Sequence, residues 1–114
     1  MFGVYETTIG CQRSPRVLKA AMEEAVDRYL ALHHNVFPLD RQDSSIKLKV
    51  QKNYLSSGEI IKILIKEESF KITSQCIKAP DHSIMISWGK NRRNVSTLSS
   101  YIKDAVREIS SSAA

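Results

Sequence analysis

The fold is decided by residues 46–76, IKLKVQKNYLSSGEIIKILIKEESFKITSQC. Apolar and polar residues alternate in three parts of this stretch, which predicts strands that bury one face and expose the other. Turn residues at 56–58 and 67–69 separate the three strands. Connections this short imply antiparallel neighbours, because parallel neighbours need long crossovers. The predicted inward side chains are Ile46, Leu48, Val50, Ile61, Ile63, Ile65, Phe70, Ile72, Ser74 and Cys76.

The C-terminal third predicts one more strand and a helix. Residues 84–88 alternate again after turn residues at 79–82, with Ile84, Ile86 and Trp88 on one side. From about Ser96 to Ile109 the apolar spacing changes to steps of 3 and 4, which predicts a closing helix. Its inward residues are Leu98, Ile102, Ala105 and Ile109. The tail at residues 110–114 is expected to fray.

The N-terminal third predicts a long helix. Ser14 is a capping residue and Pro15 suits the first helical position. The helix is expected to end near residues 34–35, because Pro38 disfavours helical backbone before it, and residues 37–45 are interpreted as a polar connector. Residues 2–9 are rich in strand-forming types but alternate poorly. The apolar stripe of the helix consists of Leu18, Met22, Ala25, Tyr29, Leu32 and Val36.

Together these elements predict one α+β domain over residues 1–114. It is a two-layer sandwich, in which the long N-terminal helix and the C-terminal helix pack on one face of an antiparallel four-stranded meander. Residues 1–13 are interpreted as strand and loop, and whether they add a fifth strand is left open. The other face of the sheet is polar and is expected to face water.

The order of strand, long helix, meander and closing helix is similar in topology to small helix-grip domains. That resemblance implies an apolar ligand or a lipid held between helix and sheet. A carrier of this kind is therefore an alternative function. Its cavity would be lined by Met22, Tyr29, Ile63, Phe70 and Trp88.

Composition favours an ordinary globular chain. Hydrophobic residues make up 42% and charged residues 25% of the sequence, and no run approaches the roughly 20 apolar residues of a membrane span. The N-terminus has neither a basic leader nor an apolar signal segment, so a cytoplasmic location is expected. Cys11 and Cys76 lie too far apart in sequence for a Cys-x-x-Cys metal pattern.

The positive charge is concentrated in the predicted sheet. The chain has a net charge of +5, and residues 46–93 carry ten Lys or Arg against four Asp or Glu. The lysines of three strands fall on the polar phase, so they are predicted to form one basic face. The same lysines would also keep an exposed sheet soluble and block edge pairing. These residues are Lys47, Lys49, Lys62, Lys66 and Lys71.

A second basic cluster lies at residues 88–95, WGKNRRNV, the expected hinge between the last strand and the last helix. If Asn94 or Ser96 caps that helix, the cations lie just ahead of its N-terminus, where the helix dipole favours anions. The cluster is therefore predicted to bind a phosphate or carboxylate, with an exposed surface turn as the plain alternative. Its residues are Lys90, Arg92, Arg93 and Asn94.

Catalytic and metal-binding patterns are missing from the sequence. His33 and His34 are adjacent and diverge by about 100° on a helix, so they do not have the spacing of paired metal ligands. His82 falls in a predicted turn. No nucleophile elbow, phosphate-binding glycine loop or metalloprotease motif is present. Neither enzyme activity nor a cofactor is expected.

The leading functional hypothesis is a non-catalytic binding module. Its basic sheet face and basic helix N-terminus would contact an anionic partner, either nucleic acid or an acidic protein surface. Besides the carrier, a third alternative is a structural subunit that forms oligomers through an open sheet edge.

Overall fold

The computed structural model describes residues 4–51, 58–76 and 84–112. The elements are β1 (Val4–Gly10), α1 (Pro15–Leu32), β2 (Val36–Arg41), β3 (Ser45–Val50), β4 (Glu59–Lys66), β5 (Ser69–Cys76) and α2 (Ile84–Ser112). The described chain forms one antiparallel sheet in the order β1-β5-β4-β3-β2, with both helices packed on one face. The predicted α+β sandwich is confirmed, and the N-terminal strand that the sequence left open joins the sheet beside β5.

The register of the three central strands agrees with the alternation in the sequence. Ile63 pairs with Ile46 on one side and Ile72 on the other, and all three side chains are buried. One position along, Lys62 pairs with Lys47 and Thr73 on the opposite face. A slip of one residue would turn the isoleucines outward, so burial of one face fixes the register.

Helix α1 begins as the sequence predicts and ends slightly earlier. Ser14 Oγ accepts a hydrogen bond from the backbone N–H of Val17 at 3.3 Å, and Pro15 is the first helical residue. The helix ends at Leu32, which is 62% exposed. The predicted helical stripe is therefore wrong at two positions. Leu32 lies outside the core, and Val36 lies in the core as the first residue of β2 and not as part of the helix.

The polar connector predicted at residues 37–45 contains a strand that the sequence pattern missed. Strand β2 pairs with β3 and forms one edge of the sheet. An edge strand tolerates Pro38, because a proline can face away from the ladder. The pairing also shifts between Pro38 and Asp40, which breaks the alternation. A strand exposed along most of its length gives no apolar rhythm to detect.

The strand predicted at residues 84–88 is wrong. These residues begin α2, which continues to Ser112 without the expected hinge. In the sequence, the spacing of Ile84, Trp88, Asn91 and Val95 is 4, 3 and 4, which continues the stripe of the predicted helix backward. The polar Asn91 concealed that continuity, yet it is completely buried.

Some expectations lie outside the described residues. These are the turns at 56–57 and 79–82, the side chain of Trp88, and the last two residues of the tail. The remainder of the predicted tail, residues 110–112, belongs to α2.

The core lies between the sheet and the two helices. From the helices come the fully buried Leu18, Met22, Leu98 and Ile102, packed against the inward residues of β3, β4 and β5. Arg28 of α1 forms surface ion pairs with Glu24 of the same helix and with Glu108 of α2, both at 3.2 Å, and the second pair links the helices. With the helices covering one face, the other face of the sheet is left open.

Candidate functional site

All five lysines predicted for the basic face point outward from the open side of the sheet. We call Lys47, Lys49, Lys62, Lys66 and Lys71 the lysine face. Three of them line a groove of about 280 Å³, whose lining also includes the apolar Ile60 and Leu64. The residues around this groove are Lys47, Ile60, Lys62, Leu64, Lys71, Thr73 and Gln75.

The charges of the lysine face are only partly balanced. Lys47 and Lys62 are direct partners on neighbouring strands, an arrangement that is unfavourable for like charges. Lys71 Nζ lies 3.2 Å from Glu6 Oε1 of β1, but both side chains are partly exposed, so the pair contributes little and opens easily. Asp40 of β2 also lies opposite Lys47. Five lysines against Glu6 and Asp40 still leave this face with a positive potential.

The lysine face also carries apolar residues. Phe37 of β2 lies opposite Lys49 of β3 and is 46% exposed. Ile60 and Leu64 are half-buried between the lysines. Phe70, by contrast, is completely buried in the core, as its phase in the sequence predicted. The open face is thus cationic at its lysines and apolar between them.

The second predicted site is placed differently from the expectation. Residues 90–94 lie in the interior of α2, which begins at Ile84, so neither Asn94 nor Ser96 caps the helix. The partial positive charge at a helix N-terminus attracts anions only within the first turn. It therefore does not contribute to anion binding at residues 90–94. Lys90, Arg93 and Asn94 lie on the helix side of the sheet, away from the lysine face. Arg92 is exposed and is not part of this group.

Lys90, Arg93 and Asn94 instead form one wall of a pocket where the two helices meet the end of the sheet. We call this the end pocket; its volume is about 190 Å³. The last turn of α1 and the ends of three strands complete it, so residues distant in sequence converge. Its lining consists of Tyr29, His33, Asn35, Val36, Val50, Glu59, Lys90, Arg93, Asn94 and Thr97.

A buried hydrogen-bond network supports the end pocket. Asn94 Nδ2 donates to Glu59 Oε1 at 3.1 Å and to Ser74 Oγ at 3.2 Å. Ser74 Oγ in turn donates to Asn91 Oδ1 at 2.7 Å. Glu59 is 2% exposed, and Ser74 and Asn91 are completely buried. A satisfied polar network in a core fixes its members in position.

Tyr29 extends this network toward α1. Its hydroxyl donates to Asn94 Oδ1 at 3.5 Å, and its ring lies 4.3 Å from that of His33. Burial raises the pKa of Tyr29 from 10.0 to about 12, with smaller contributions from the charge of Glu59 and from Tyr101. Tyr29 therefore keeps its proton at neutral pH and serves as a hydrogen-bond donor.

Sequence reasoning missed Glu59, Ser74 and Asn91 as a group. Glu59 occupies the inward phase two residues before Ile61, and Ser74 was recognised as inward-facing. A polar residue at an inward position is the signal that such a network leaves in a sequence. Nothing in the sequence alone shows that these positions meet Asn91 and Asn94 of α2.

No metal-ligand cluster is found in the parts of the chain that the structure describes, because no three His, Cys, Asp or Glu side chains lie together there. His82 lies outside those parts. None of the described helices is long and apolar enough to cross a membrane. Met22, Tyr29, Ile63 and Phe70, the expected lining of a carrier cavity, pack in the core.

Comparison with known proteins shows the fold alone. In sequence, the chain matches no protein-family model and no curated protein. In structure, it is similar to a TBP-like protein from Parabacteroides distasonis, with a TM-score of 0.59 and 10% identity over 91% of this chain and 92% of the other.

Two further solved structures are similar to the chain. Ara h 8.0201 has a TM-score of 0.51 and 5% identity, over 91% of this chain and 97% of its own. The di-domain ARO/CYC StfQ of the steffimycin biosynthetic pathway has a TM-score of 0.50 and 11% identity, over 92% of this chain and half of its own. These neighbours have TBP-like and helix-grip folds, in keeping with the sheet-and-helix sandwich.

Proposed function

We propose that the protein is a binding module whose open sheet face binds an anionic polymer, with duplex nucleic acid as the partner class that fits best. The observation that supports this is the lysine face. Its five lysines lie on three adjacent strands, on the side of the sheet that neither helix covers.

The spacing of the lysines suits a chain of phosphates. Neighbouring strands lie about 4.7–4.9 Å apart, so the side chains of Lys47 and Lys62 leave the sheet from adjacent positions. Each lysine that neutralises a phosphate releases counterions, which supplies affinity without sequence preference. Such contacts hold a duplex in place, whereas base contacts would be needed to read its sequence.

The composition of the face favours a duplex over a single strand. Proteins that bind single strands on a sheet stack the bases on aromatic side chains. In the described part of the open face, Phe37 is the one aromatic residue, and it lies on the edge strand. The exposed Phe37 and the half-buried Ile60 and Leu64 suit contact with sugars and base edges. Proteins that bind the minor groove of DNA also insert apolar side chains between its base steps.

Salt-dependent binding tests the proposal. Fluorescence anisotropy would measure binding of a short DNA duplex, an RNA duplex, a single strand and heparin at several salt concentrations. Replacing Lys47, Lys62 and Lys71 with glutamine is expected to weaken duplex binding and to lower the slope of log K against log salt by about 2 to 3.

A matched variant controls for net charge. Replacing Arg16, Lys103 and Arg107 with glutamine removes the same charge from exposed positions on the helices, and it should leave most of the affinity. Equal losses in the two variants would contradict a specific role for the lysine face. Binding of heparin but of neither duplex would contradict the nucleic-acid assignment and favour an acidic protein partner.

The oligomer alternative stays a prediction. In the described sheet, β1 and β2 are the edge strands through which a second chain would pair. Pro38 and the irregular pairing beside it make the β2 edge a poor template.

A further inference from the structure

We infer that the end pocket binds a small organic carboxylate, a short-chain acid whose charged group pairs with Lys90 and Arg93. The pocket lies on the opposite side of the sheet from the lysine face, so this site is independent of the proposed function. Three features of the pocket support the assignment: two cations on one wall, a polar network already satisfied behind them, and apolar side chains beside them.

The cations of the end pocket are presented together by one face of α2. Lys90, Arg93 and Thr97 recur at steps of 3 and 4 residues, which brings them onto one side of the helix, and all three line the pocket. Lys90 is half-buried and Arg93 is exposed. Among the described residues, neither cation forms an ion pair with a carboxylate. Two neighbouring cations in this state favour an anionic ligand.

The polar groups behind these cations are occupied within the protein. Asn94 Nδ2 donates to Glu59 Oε1 at 3.1 Å and to Ser74 Oγ at 3.2 Å. Asn94 Oδ1 accepts a hydrogen bond from the Tyr29 hydroxyl at 3.5 Å. Glu59 is therefore held in the network as an acceptor and plays no part in binding the ligand. On the described lining it stands as one carboxylate against two cations.

A carboxylate suits the geometry of these cations. The planar guanidinium of an arginine can bind both oxygens of a carboxylate through two parallel hydrogen bonds, so Arg93 can hold the charged group in one orientation. Lys90 can add a further charge-assisted hydrogen bond from the same wall. The hydroxyl of Thr97, one turn along the helix, is another donor on the lining.

Apolar side chains line the pocket beside the cations. Val36 and Val50 are cross-strand partners at the ends of β2 and β3. The rings of Tyr29 and His33 pack together at 4.3 Å on the same lining. Such a surface suits the carbon chain of an acid, because contact removes apolar surface from water. An inorganic anion could not make that contact, so the pocket favours an organic acid.

The volume of the pocket limits the length of the acid. A cavity of about 190 Å³ corresponds to roughly six waters at about 30 Å³ each. That space fits an acid of about four or five carbons and excludes a fatty acid. The expected ligand is therefore a short acid and not a lipid.

NMR titration of the full chain tests the inference, with acetate, propionate and butyrate exchanged for chloride at constant ionic strength. Saturable shifts are expected at the backbone amides of Lys90, Arg93 and Thr97, and of Val50 on β3. The affinity should rise by up to about fourfold for each added CH₂ group, because each is buried against the apolar side chains. Butyramide has nearly the same shape without the charge, and it should bind at least about tenfold more weakly. Inorganic phosphate should bind more weakly than butyrate.

Replacing both cations tests the charged wall. The double variant Lys90→Gln and Arg93→Gln should weaken butyrate binding by about tenfold or more. Lys103→Gln with Arg107→Gln removes the same charge from exposed positions of α2 outside the pocket lining, so this control should bind as the unchanged protein does. If the double variant does not fold, Arg93→Gln decides alone, because Arg93 is exposed. That variant should weaken binding by at least about threefold.

Several results would each overturn the inference. They are no saturable shift at these residues at millimolar concentrations, no gain in affinity from acetate to butyrate, equal affinities for butyrate and butyramide, tighter binding of phosphate than of butyrate, and unchanged affinity in the deciding variant. The glutamine variant of the lysine face should retain butyrate binding, so failure of this site and failure of the proposed function are distinguishable.

Discussion

The lysine face and the end pocket both concentrate charge, but the sheet separates them and gives them opposite surroundings. The lysines project into water from the open side, where Lys47 and Lys62 even stand opposite each other. In the end pocket, Glu59 and Asn94 are tied into a buried network with Ser74. Adding or removing a charge on the open face should therefore have little effect on the free energy of unfolding. A change of charge in the end pocket should alter it.

The separation of the two regions depends on α2 being helical through residues 90–94. Replacing Arg92 with proline should destabilise the fold by about 3 kcal/mol or more, because proline removes a helical hydrogen bond and its ring clashes with the preceding turn. Arg92→Ala is the control for loss of the side chain, so the effect of proline on the free energy of unfolding is measured relative to alanine. Urea unfolding measures both; if proline is tolerated as well as alanine, residues 90–94 form a hinge.

The coupling of the pocket to stability has a pH signature. The pKa of Tyr29 is raised to about 12 in the folded chain against 10.0 ordinarily. Below pH 10 the stabilisation is complete, and it is lost as the pH rises through 12, because the unfolded chain releases this proton first. The loss should amount to roughly 3 kcal/mol, at about 1.4 kcal/mol for each unit of pKa.

Comparison with a Tyr29→Phe variant isolates this effect from the titration of the lysines. Urea unfolding at several alkaline pH values should show a steeper loss of stability in the unchanged protein. Tyrosinate absorbance of the unchanged protein should likewise show a late titration step that is missing from the Tyr29→Phe variant. Identical pH profiles for the two proteins would mean that burial does not raise the pKa of Tyr29.

A smaller effect is expected on the open face. Replacing Lys62 with glutamate sets opposite charges across from Lys47, which should raise stability by about 0.2–1 kcal/mol while weakening polyanion binding. Lys66→Glu serves as control, since its partner on β5 is Ser69 and no lysine lies opposite. A stability gain in both variants, or in neither, would show that the repulsion between Lys47 and Lys62 is not significant.

The lysine face could be predicted from sequence because a strand repeats every two residues. Lys47, Lys62 and Lys71 fall on the same phase, and the hydrophobic face opposite fixes their direction. The end pocket could not be predicted in this way. Glu59, Ser74 and Asn94 come from three elements, and their meeting depends on how α2 lies across the sheet.

Two errors in the predicted secondary structure had local causes. The alternation at residues 84–88 covers only five residues, too few to distinguish a strand from one side of a helix. The buried Asn91 then interrupted the apolar stripe that would have revealed the longer helix. Strand β2 was missed because an edge strand containing Pro38 has no apolar rhythm.

NMR mapping with a short DNA duplex at low salt tests the central claim most directly, because it compares both regions in one experiment. The largest amide shifts are expected on β3, β4 and β5 around Lys47, Lys62 and Lys71, and they should disappear as salt is raised. The residues of α2 from Lys90 to Asn94 should shift little. Shifts concentrated on α2, or no shifts at low salt, would contradict the account.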